Sequence, residues 1–240
     1  MRKIGLSEIA IFFTLIAATI TMAILSVKFL LGNLPLGDLR GITLVSGTIA
    51  FIYVYALAIY RLFLLIRPLQ EGEIAEKSRE EFGYHIYVLF YLIIFYPIMR
   101  SGFIPIPFMR LIYLALGARL GDNTYSAGII LDPIFVEIGA NSVVGQYALL
   151  VPHVIESSRL AHYKIRIGNN VTIGAHAVVL SGVSIGDHAI VATGAIIPKG
   201  TNIGPSEVWG GVPARLIRSG PPIYQPVSQD NHEPYQTSDH

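Results

Sequence analysis

The chain contains no cysteine and few charged residues. The absence of cysteine excludes disulfide bonds, a thiolate nucleophile and a thiolate metal site. Charged residues make up 14% of the 240 positions and the formal net charge is +1, so the chain lacks the basic surface that nucleic-acid binding requires. Hydrophobic residues make up 52%, and the mean hydropathy is +0.56. This length and composition predict a membrane region joined to one soluble domain.

Two long apolar runs lie near the N-terminus. Residues 9–31 and 42–66 are almost wholly apolar, and each exceeds the roughly 20 residues needed to cross a bilayer. A cleaved signal peptide is disfavoured, because no small-residue cleavage site follows the first run and a second long run comes after it. We therefore expect residues 1–83 to form two transmembrane helices and a charged connector.

A third apolar run, residues 85–99, is shorter and contains Pro97 near its end. Further prolines and regularly spaced arginines follow it. This pattern favours a re-entrant or interfacial helical segment over residues 84–119, and a third full crossing is the alternative.

Basic residues flank the two long runs. Arg2 and Lys3 precede the first run, and Arg61 and Arg67 lie at the end of the second. If the third run does not cross, the positive-inside rule places the N-terminus and everything after the second run on the cytoplasmic side. We expect an integral protein of the inner (cytoplasmic) membrane, with its soluble domain in the cytoplasm.

The second half of the chain has a six-residue repeat. Every sixth residue is aliphatic at Ile167, Ile173, Val179, Ile185, Val191, Ile197 and Ile203, and earlier at Ile138, Val144 and Leu150. Neither the helix period of 3.6 nor the strand period of 2 gives six, whereas three short strands per 18-residue turn do. The repeat predicts a left-handed parallel β-helix over residues 120–218. With the helical region before it, the expected fold class is mostly β.

The repeat carries a family resemblance. Residues 167–200 read IGNNVTIGAHAVVLSGVSIGDHAIVATGAIIPKG, and residues 209–217 read WGGVPARLI. These segments resemble the hexapeptide-repeat acyltransferases, in particular the branch that contains galactoside, xenobiotic and serine acetyltransferases. The repeat alone specifies only the fold, which γ-class carbonic anhydrases share, but GVPAR recurs in coenzyme-A-dependent members. The resemblance implies a homotrimer with active sites between neighbouring subunits.

The period breaks once, between Leu150 and Ile167. These residues are seventeen apart, one short of three repeats, so we expect an extruded loop. In the resembling acetyltransferases a loop here carries the catalytic histidine, in a pattern like H-P-x(3)-E-L-R. The resemblance implies that His153 is the general base and that Glu156 orients it. His162, in the same loop, is the alternative base.

Acyl transfer asks little of such a base. A hydroxyl or amine must lose its proton as it attacks the thioester, and one imidazole with a pKa near 7 suffices, its other nitrogen held by a carboxylate or carbonyl. The alternative is that His153 is a loop residue without a catalytic role. His176 and His188 fall at exposed positions of the repeat and are expected to be structural. The paired histidines of γ-class carbonic anhydrases are missing, so we expect no metal.

The resemblance also suggests where the coenzyme binds. Ala175 and Thr193, one full coil apart, match the corners that contact the pantetheine arm. Lys199 and Arg215 are expected to meet the anionic phosphates, and Trp209 to pack beside the adenine. As alternatives, the two basic residues are solubilising charges and Trp209 caps the open end of the coil.

Two polar residues, Ser126 and Asp132, fall at six-residue spacing between Leu120 and Ile138. Either they line the acceptor end of the active site or they mark an irregular first coil. The sequence alone leaves both interpretations open.

The expected protein is a membrane-anchored acyltransferase. It would move an acyl group, most simply acetyl, from acetyl-CoA or another acyl-CoA to a hydroxyl or amine of a sugar, such as a lipid-linked glycan of surface polysaccharide synthesis. The alternatives are a transferase that uses acyl carrier protein or a long-chain acyl donor, and a non-catalytic trimeric membrane scaffold. Residues 219–240, rich in proline and polar residues, are expected to form a flexible tail.

Overall fold

The computed structural model describes residues 2–220, so almost all of the expected tail (219–240) lies outside the described residues. Of these described residues 42% are helical, more than a mostly β chain would have, because the helical region takes up nearly the whole first half. Its helices are α1 (Leu6–Leu31), α2 (Arg40–Ile66), α3 (Arg79–Phe90), α4 (Tyr96–Arg100) and α5 (Ile106–Leu116).

Within residues 2–220, three helical segments are long and apolar enough to cross a membrane: Leu6–Leu31, Gly37–Ile66 and Arg79–Arg100. The third joins α3 to α4 through a π-helical turn, Tyr91–Phe95, and therefore runs past Pro97. Pro97 lies in the first turn of α4, where its missing N–H matters least. Half of this segment is buried inside the protein, against 17% and 11% of the first two. The third segment therefore packs on protein as well as having the length to span.

Residues 119–218 form short strands that stack in three parallel sheets, as the repeat predicts. The first sheet contains Arg119–Leu120, Val136–Ile138, Ile165–Ile167, Ser184–Ile185 and Asn202–Ile203. The second contains Tyr125–Ser126, Val143–Val144, Thr172–Ile173, Ile190–Val191, Val208–Gly211 and the antiparallel Ala214–Arg218. The third contains Ile129–Ile130, Leu149–Leu150, Val178–Val179 and Ile196–Ile197.

The register places the repeated aliphatic residues in columns inside the stack. Ile167, for example, lies opposite Ile138 in one neighbouring strand and Ile185 in the other, and all three are buried. Each coil alone has too little apolar surface for a core, and stacking makes that core continuous.

The first coil departs from the expected phase. Ser126 pairs with Val144, as the spacing predicts, but the residue opposite Leu150 is Ile130 and not Asp132. The chain reaches the third sheet two residues early and then turns through a 3₁₀ helix, Pro133–Phe135. Asp132 therefore lies in the corner that follows, and the first coil is irregular, which is one of the two interpretations that the sequence left open.

The glycine that follows each aliphatic position of the repeat does not supply the left-handed corners. Left-handed φ values occur at Asn141, Asn170, His176 and His188, not at the glycine that follows each aliphatic position. Gly174 shows the role of that glycine, since a Cβ there would lie 2.5 Å from the backbone nitrogen of Thr193 in the next coil. These glycines allow adjacent coils to approach closely.

The break in the period is an antiparallel β-hairpin, which we call the extruded hairpin. Its strands are His153–Glu156 and Arg159–His162, and His153 lies opposite His162. Gly72–Glu73, in the connector after α2, adds a third strand beside Arg159–His162. The extruded hairpin is thus a small sheet anchored to the helical region, and not an irregular loop.

Candidate active site

The extruded hairpin brings His153 against a buried carboxylate from the preceding coil. The Nδ1 atom of His153 and the Oδ2 atom of Asp132 are 2.5 Å apart. Asp132 leads into the 3₁₀ turn at the corner between the third and first sheets, one coil before the hairpin leaves the same corner. Its φ of +42° is a left-handed conformation that asparagine and aspartate tolerate better than most residues.

The two partners differ in exposure. The Asp132 side chain is 6% exposed and that of His153 is 25% exposed. The Nε2 atom of His153 has no hydrogen-bond partner among the described residues. The imidazole is therefore held at one nitrogen by a buried acid and offers the other nitrogen for chemistry.

The second oxygen of Asp132 is also bonded. The Tyr87 hydroxyl, from α3, donates to Oδ1 over 3.0 Å. Tyr87 and Asp132 are both buried, so bulk water cannot replace the tyrosine as the donor to Oδ1. A buried carboxylate needs hydrogen bonds on both oxygens, and here one comes from the hairpin and the other from a helix.

The pair favours the charged forms. Burial alone would raise the pKa of Asp132, but the hydrogen bond and charge of His153 outweigh it, so the pKa lies below its ordinary value. Burial likewise lowers the pKa of His153, and the bond to Asp132 outweighs it, so this pKa lies above its ordinary value. A raised imidazole pKa strengthens the base for proton abstraction.

His162, the alternative base, lies in a different environment. It is fully buried and stacks on Phe135 at 4.6 Å and against Tyr84 at 5.1 Å. Neither of its ring nitrogens has a partner among the described residues. Burial lowers the pKa of His162 to about 4, so it is neutral near pH 7 and sealed from substrate.

Glu156 faces away from His153. Its carboxylate contacts Lys199, which was expected to meet the coenzyme, and Arg159. The partner of His153 in the structure is Asp132 and not Glu156, because Glu156 is the fourth residue of its strand and projects from the opposite face. The bonds from Lys199 and the charge of Arg159 hold the pKa of Glu156 below its usual value.

The residues expected at the coenzyme lie on separate parts of the coil. Ala175 and Thr193 lie at the corner between the second and third sheets, one coil apart, and the Ala175 carbonyl accepts the Gly194 N–H over 2.9 Å. Lys199 lies at the corner between the third and first sheets, on the same side as His153. Within one chain these two corners form different edges of the stack of coils.

Two further expected residues lie at the last coil. Trp209 is partly buried opposite Val191 and donates from Nε1 to Glu207 over 2.8 Å, so it closes the end of the core. Arg215 is exposed on the antiparallel strand Ala214–Arg218. Among residues 2–220, no cluster of three or more His, Asp or Glu side chains could hold a metal ion.

Sequence reasoning missed the part played by two residues. Asp132 was noticed as a polar residue near the repeat, and its position beside Pro133 in a broken coil was the available signal. Tyr87 gave no signal, because it lies in an apolar helical run that contains several other tyrosines.

Comparison with known proteins agrees with this fold. Residues 164–199 match the family model described as bacterial transferase hexapeptide (six repeats). The chain is 35% identical over 118 residues to galactoside O-acetyltransferase of Escherichia coli (strain K12), covering 45% of this chain and 57% of that protein. The chain thus spans little more than half the length of this curated relative.

Similar solved structures include two acetyltransferases. One is the hexapeptide-repeat acetyltransferase VCA0836 of Vibrio cholerae O1 biovar eltor complexed with acetyl coenzyme A, 26% identical, covering 43% of this chain and 60% of that one, with a TM-score of 0.40. The other is a galactoside acetyltransferase in complex with coenzyme A, 32% identical, covering 43% and 55%, with a TM-score of 0.38.

Residues 164–199 thus carry the hexapeptide repeat of the bacterial transferase model, and long apolar helices precede them. Over 118 residues the chain is similar to galactoside O-acetyltransferase. The predicted resemblance is confirmed.

Proposed function

We propose that the protein transfers an acyl group, most simply acetyl, from acyl-CoA to a hydroxyl or amine, with His153 as general base. The observation that carries this proposal is the 2.5 Å contact between His153 and the buried Asp132. It fixes Nδ1 as the protonated nitrogen and leaves Nε2 to accept a proton. The similarity to galactoside O-acetyltransferase supports the donor and the reaction class.

The reaction would take two proton transfers. Nε2 of His153 removes the proton of the acceptor hydroxyl as its oxygen attacks the thioester carbonyl and a C–O bond forms. The tetrahedral intermediate then collapses, the C–S bond breaks, and the proton held on Nε2 passes to the departing sulfur. Asp132 stabilises the imidazolium between these steps. The products are an acyl ester and free coenzyme A.

We propose residues 120–218, a left-handed parallel β-helix, as the transferase domain and the preceding segments as its membrane anchor. The length of α1 and α2 supports anchoring. With the third segment packed on the protein and not crossing, the basic residues before α1 and after α2 favour a cytoplasmic transferase domain. Because α3 contacts Asp132 directly, the reacting groups would lie near the bilayer surface. A lipid-linked glycan is therefore the acceptor we favour.

The experiment is acyl transfer by the full-length protein in lipid nanodiscs, with acetyl-CoA and a panel of lipid-linked and soluble glycans. Thiol release and labelled product are both measured. We expect turnover that falls about 10²–10⁴-fold in His153→Ala, while His176→Asn, a matched change at an exposed corner, retains activity. Failure to bind any acyl-CoA would overturn the proposal and favour the non-catalytic scaffold. Transfer only from acyl carrier protein or from long-chain donors would overturn the proposed donor.

A further inference from the structure

Three tyrosines of the third apolar segment face the first coil of the β-helix. Tyr84, Tyr87 and Tyr91 are spaced i, i+3 and i+7, which places them on one face of the helix. Tyr84 packs on His162 of the extruded hairpin. Tyr87 donates to Asp132, and Tyr91 donates to the carbonyl of Ile130 over 3.0 Å. This tyrosine face therefore contacts the hairpin, the acid and the strand that leads to the acid.

We propose that Tyr87 is a positioning residue of the active site: its hydroxyl fixes the Asp132 carboxylate so that Asp132 can orient His153. The inference rests on the proposed function for its kinetic consequence. It goes further in making a membrane-region helix part of the active site, which a soluble β-helix cannot supply.

The ring of Tyr87 packs in the core against Tyr60 and Tyr91, and its hydroxyl is the part that contacts the carboxylate. Tyr87 and Asp132 are both buried, so a phenylalanine at position 87 would leave Oδ1 without a donor and without water. The carboxylate could then rotate, and only the His153 bond would hold it. A misplacement of this kind weakens catalysis through geometry, because the reactive nitrogen must point at the acceptor.

The proton affinity of the pair also depends on this bond. The Tyr87 hydroxyl disperses part of the Asp132 charge, so without it the remaining charge acts more strongly on His153. The other titratable groups around Asp132 are neutral aromatic or imidazole side chains: His162 on the hairpin, Tyr84 and Tyr91 on the third segment, and Tyr60 on α2. No charged side chain among them would replace the lost bond.

The test compares Tyr87→Phe with Tyr91→Phe in the full-length protein in nanodiscs. Both changes remove one buried hydroxyl that donates to the same coil, but only the first touches the carboxylate. We expect kcat/KM of Tyr87→Phe to fall about tenfold and the acid limb of its pH profile to move to higher pH. Tyr91→Phe should keep the wild-type profile, and melting temperatures of both variants control for loss of fold.

A second readout does not need activity. In protein labelled with ¹⁵N-histidine, the His153 ring signals are assigned by their loss in His153→Gln, and their titration midpoint is followed in each variant. A midpoint that rises in Tyr87→Phe and stays in Tyr91→Phe supports the proposal even if no acyl acceptor is found. A midpoint and an activity profile that change equally in both variants, or in neither, would overturn it.

Discussion

At the residue scale, the protonation state of each histidine on the extruded hairpin depends on its burial and contacts as much as on the residue type. The chain has seven histidines, and two of them lie opposite each other on the extruded hairpin. Contact with Asp132 raises the pKa of one, His153, whereas burial without a partner lowers that of the other, His162. In the proposed mechanism, the carboxylate therefore selects which imidazole can act as the base.

Asp132→Asn should test this selection. The change keeps the shape of the side chain but removes its charge, so the pKa of His153 should fall towards and below its ordinary value. A base acts when deprotonated, and the acid limb of kcat/KM should therefore move to lower pH. The rate should fall about 100-fold or more, because the imidazolium loses its stabilising charge. The measurement is kcat/KM across pH.

Asp187→Asn is the matched control. The pKa of Asp187 is also lowered, but by hydrogen bonds from Asn169 on the outside of the coil. It should leave the pH profile unchanged. An equal shift in both variants would mean that the loss of a negative charge anywhere on the coil is sufficient.

At the scale of elements, the extruded hairpin is held by aromatic packing as well as by strand pairing. The imidazole of His162 lies between Phe135 of the first coil and Tyr84 of α3. It links three elements while carrying two ring nitrogens that have no partner among the described residues. This packing tolerates only the neutral form of the ring.

His162→Phe should therefore remove part of the acid sensitivity of the fold. The unfolded chain protonates this histidine near pH 6.5 and the folded chain near pH 4, so between these values the unfolded state binds more protons. Stability from this group is complete above pH 6.5 and falls as the pH drops to about 4, by roughly 3 kcal/mol in total. Above pH 6.5 the melting temperatures of wild type and variant should depend on pH in the same way. Below pH 6.5 the melting temperature of the wild type should fall more steeply. In His176→Asn, which removes an exposed imidazole, the acid loss should persist.

The sequence predicted the elements well where one period held over many residues. Seven aliphatic positions in phase from Ile167 onward determine the columns of the core, because each coil repeats the same packing. The sequence left the role of Asp132 in the first coil open, since a strand can begin two residues early when a 3₁₀ turn takes up the difference. The break at Leu150 predicted an extrusion, but the connector strand Gly72–Glu73 that pairs with it lies about ninety residues away and has no local signal.

The candidate site was predictable to a similar degree. His153 was proposed from its order within a recognised pattern, whereas its acid partner comes from the preceding coil. The family resemblance implied Glu156 as the residue that orients His153, but strand alternation turns it towards Lys199. The contact between Tyr87 and Asp132 depends on how α3 docks on the first coil. No periodic pattern in the sequence indicates this docking.

At the scale of the whole molecule, one chain does not bring all the expected contacts together. His153 and Lys199 lie at the corner between the third and first sheets, and Ala175 and Thr193 lie at the corner between the second and third. These two corners form different edges of the stack of coils. If all four groups serve one coenzyme, two copies of the chain must meet edge to edge, and a closed ring of three copies would form three equivalent sites.

This arrangement predicts complementation between two inactive variants. His153→Ala lacks the base but keeps the coenzyme corner. Thr193→Trp keeps the base but blocks that corner with a bulky side chain. Each should be inactive alone, whereas random trimers from coexpression in equal amounts should recover roughly a quarter of wild-type turnover, the fraction of interfaces at which both intact halves meet. The measurement is turnover per chain of the coexpressed protein in nanodiscs.

Variants purified separately and mixed after assembly are the control, and they should recover nothing unless subunits exchange. Coexpressed protein that is no more active than its parents would mean that base and coenzyme corner act within one chain, and that the ring is not the catalytic unit.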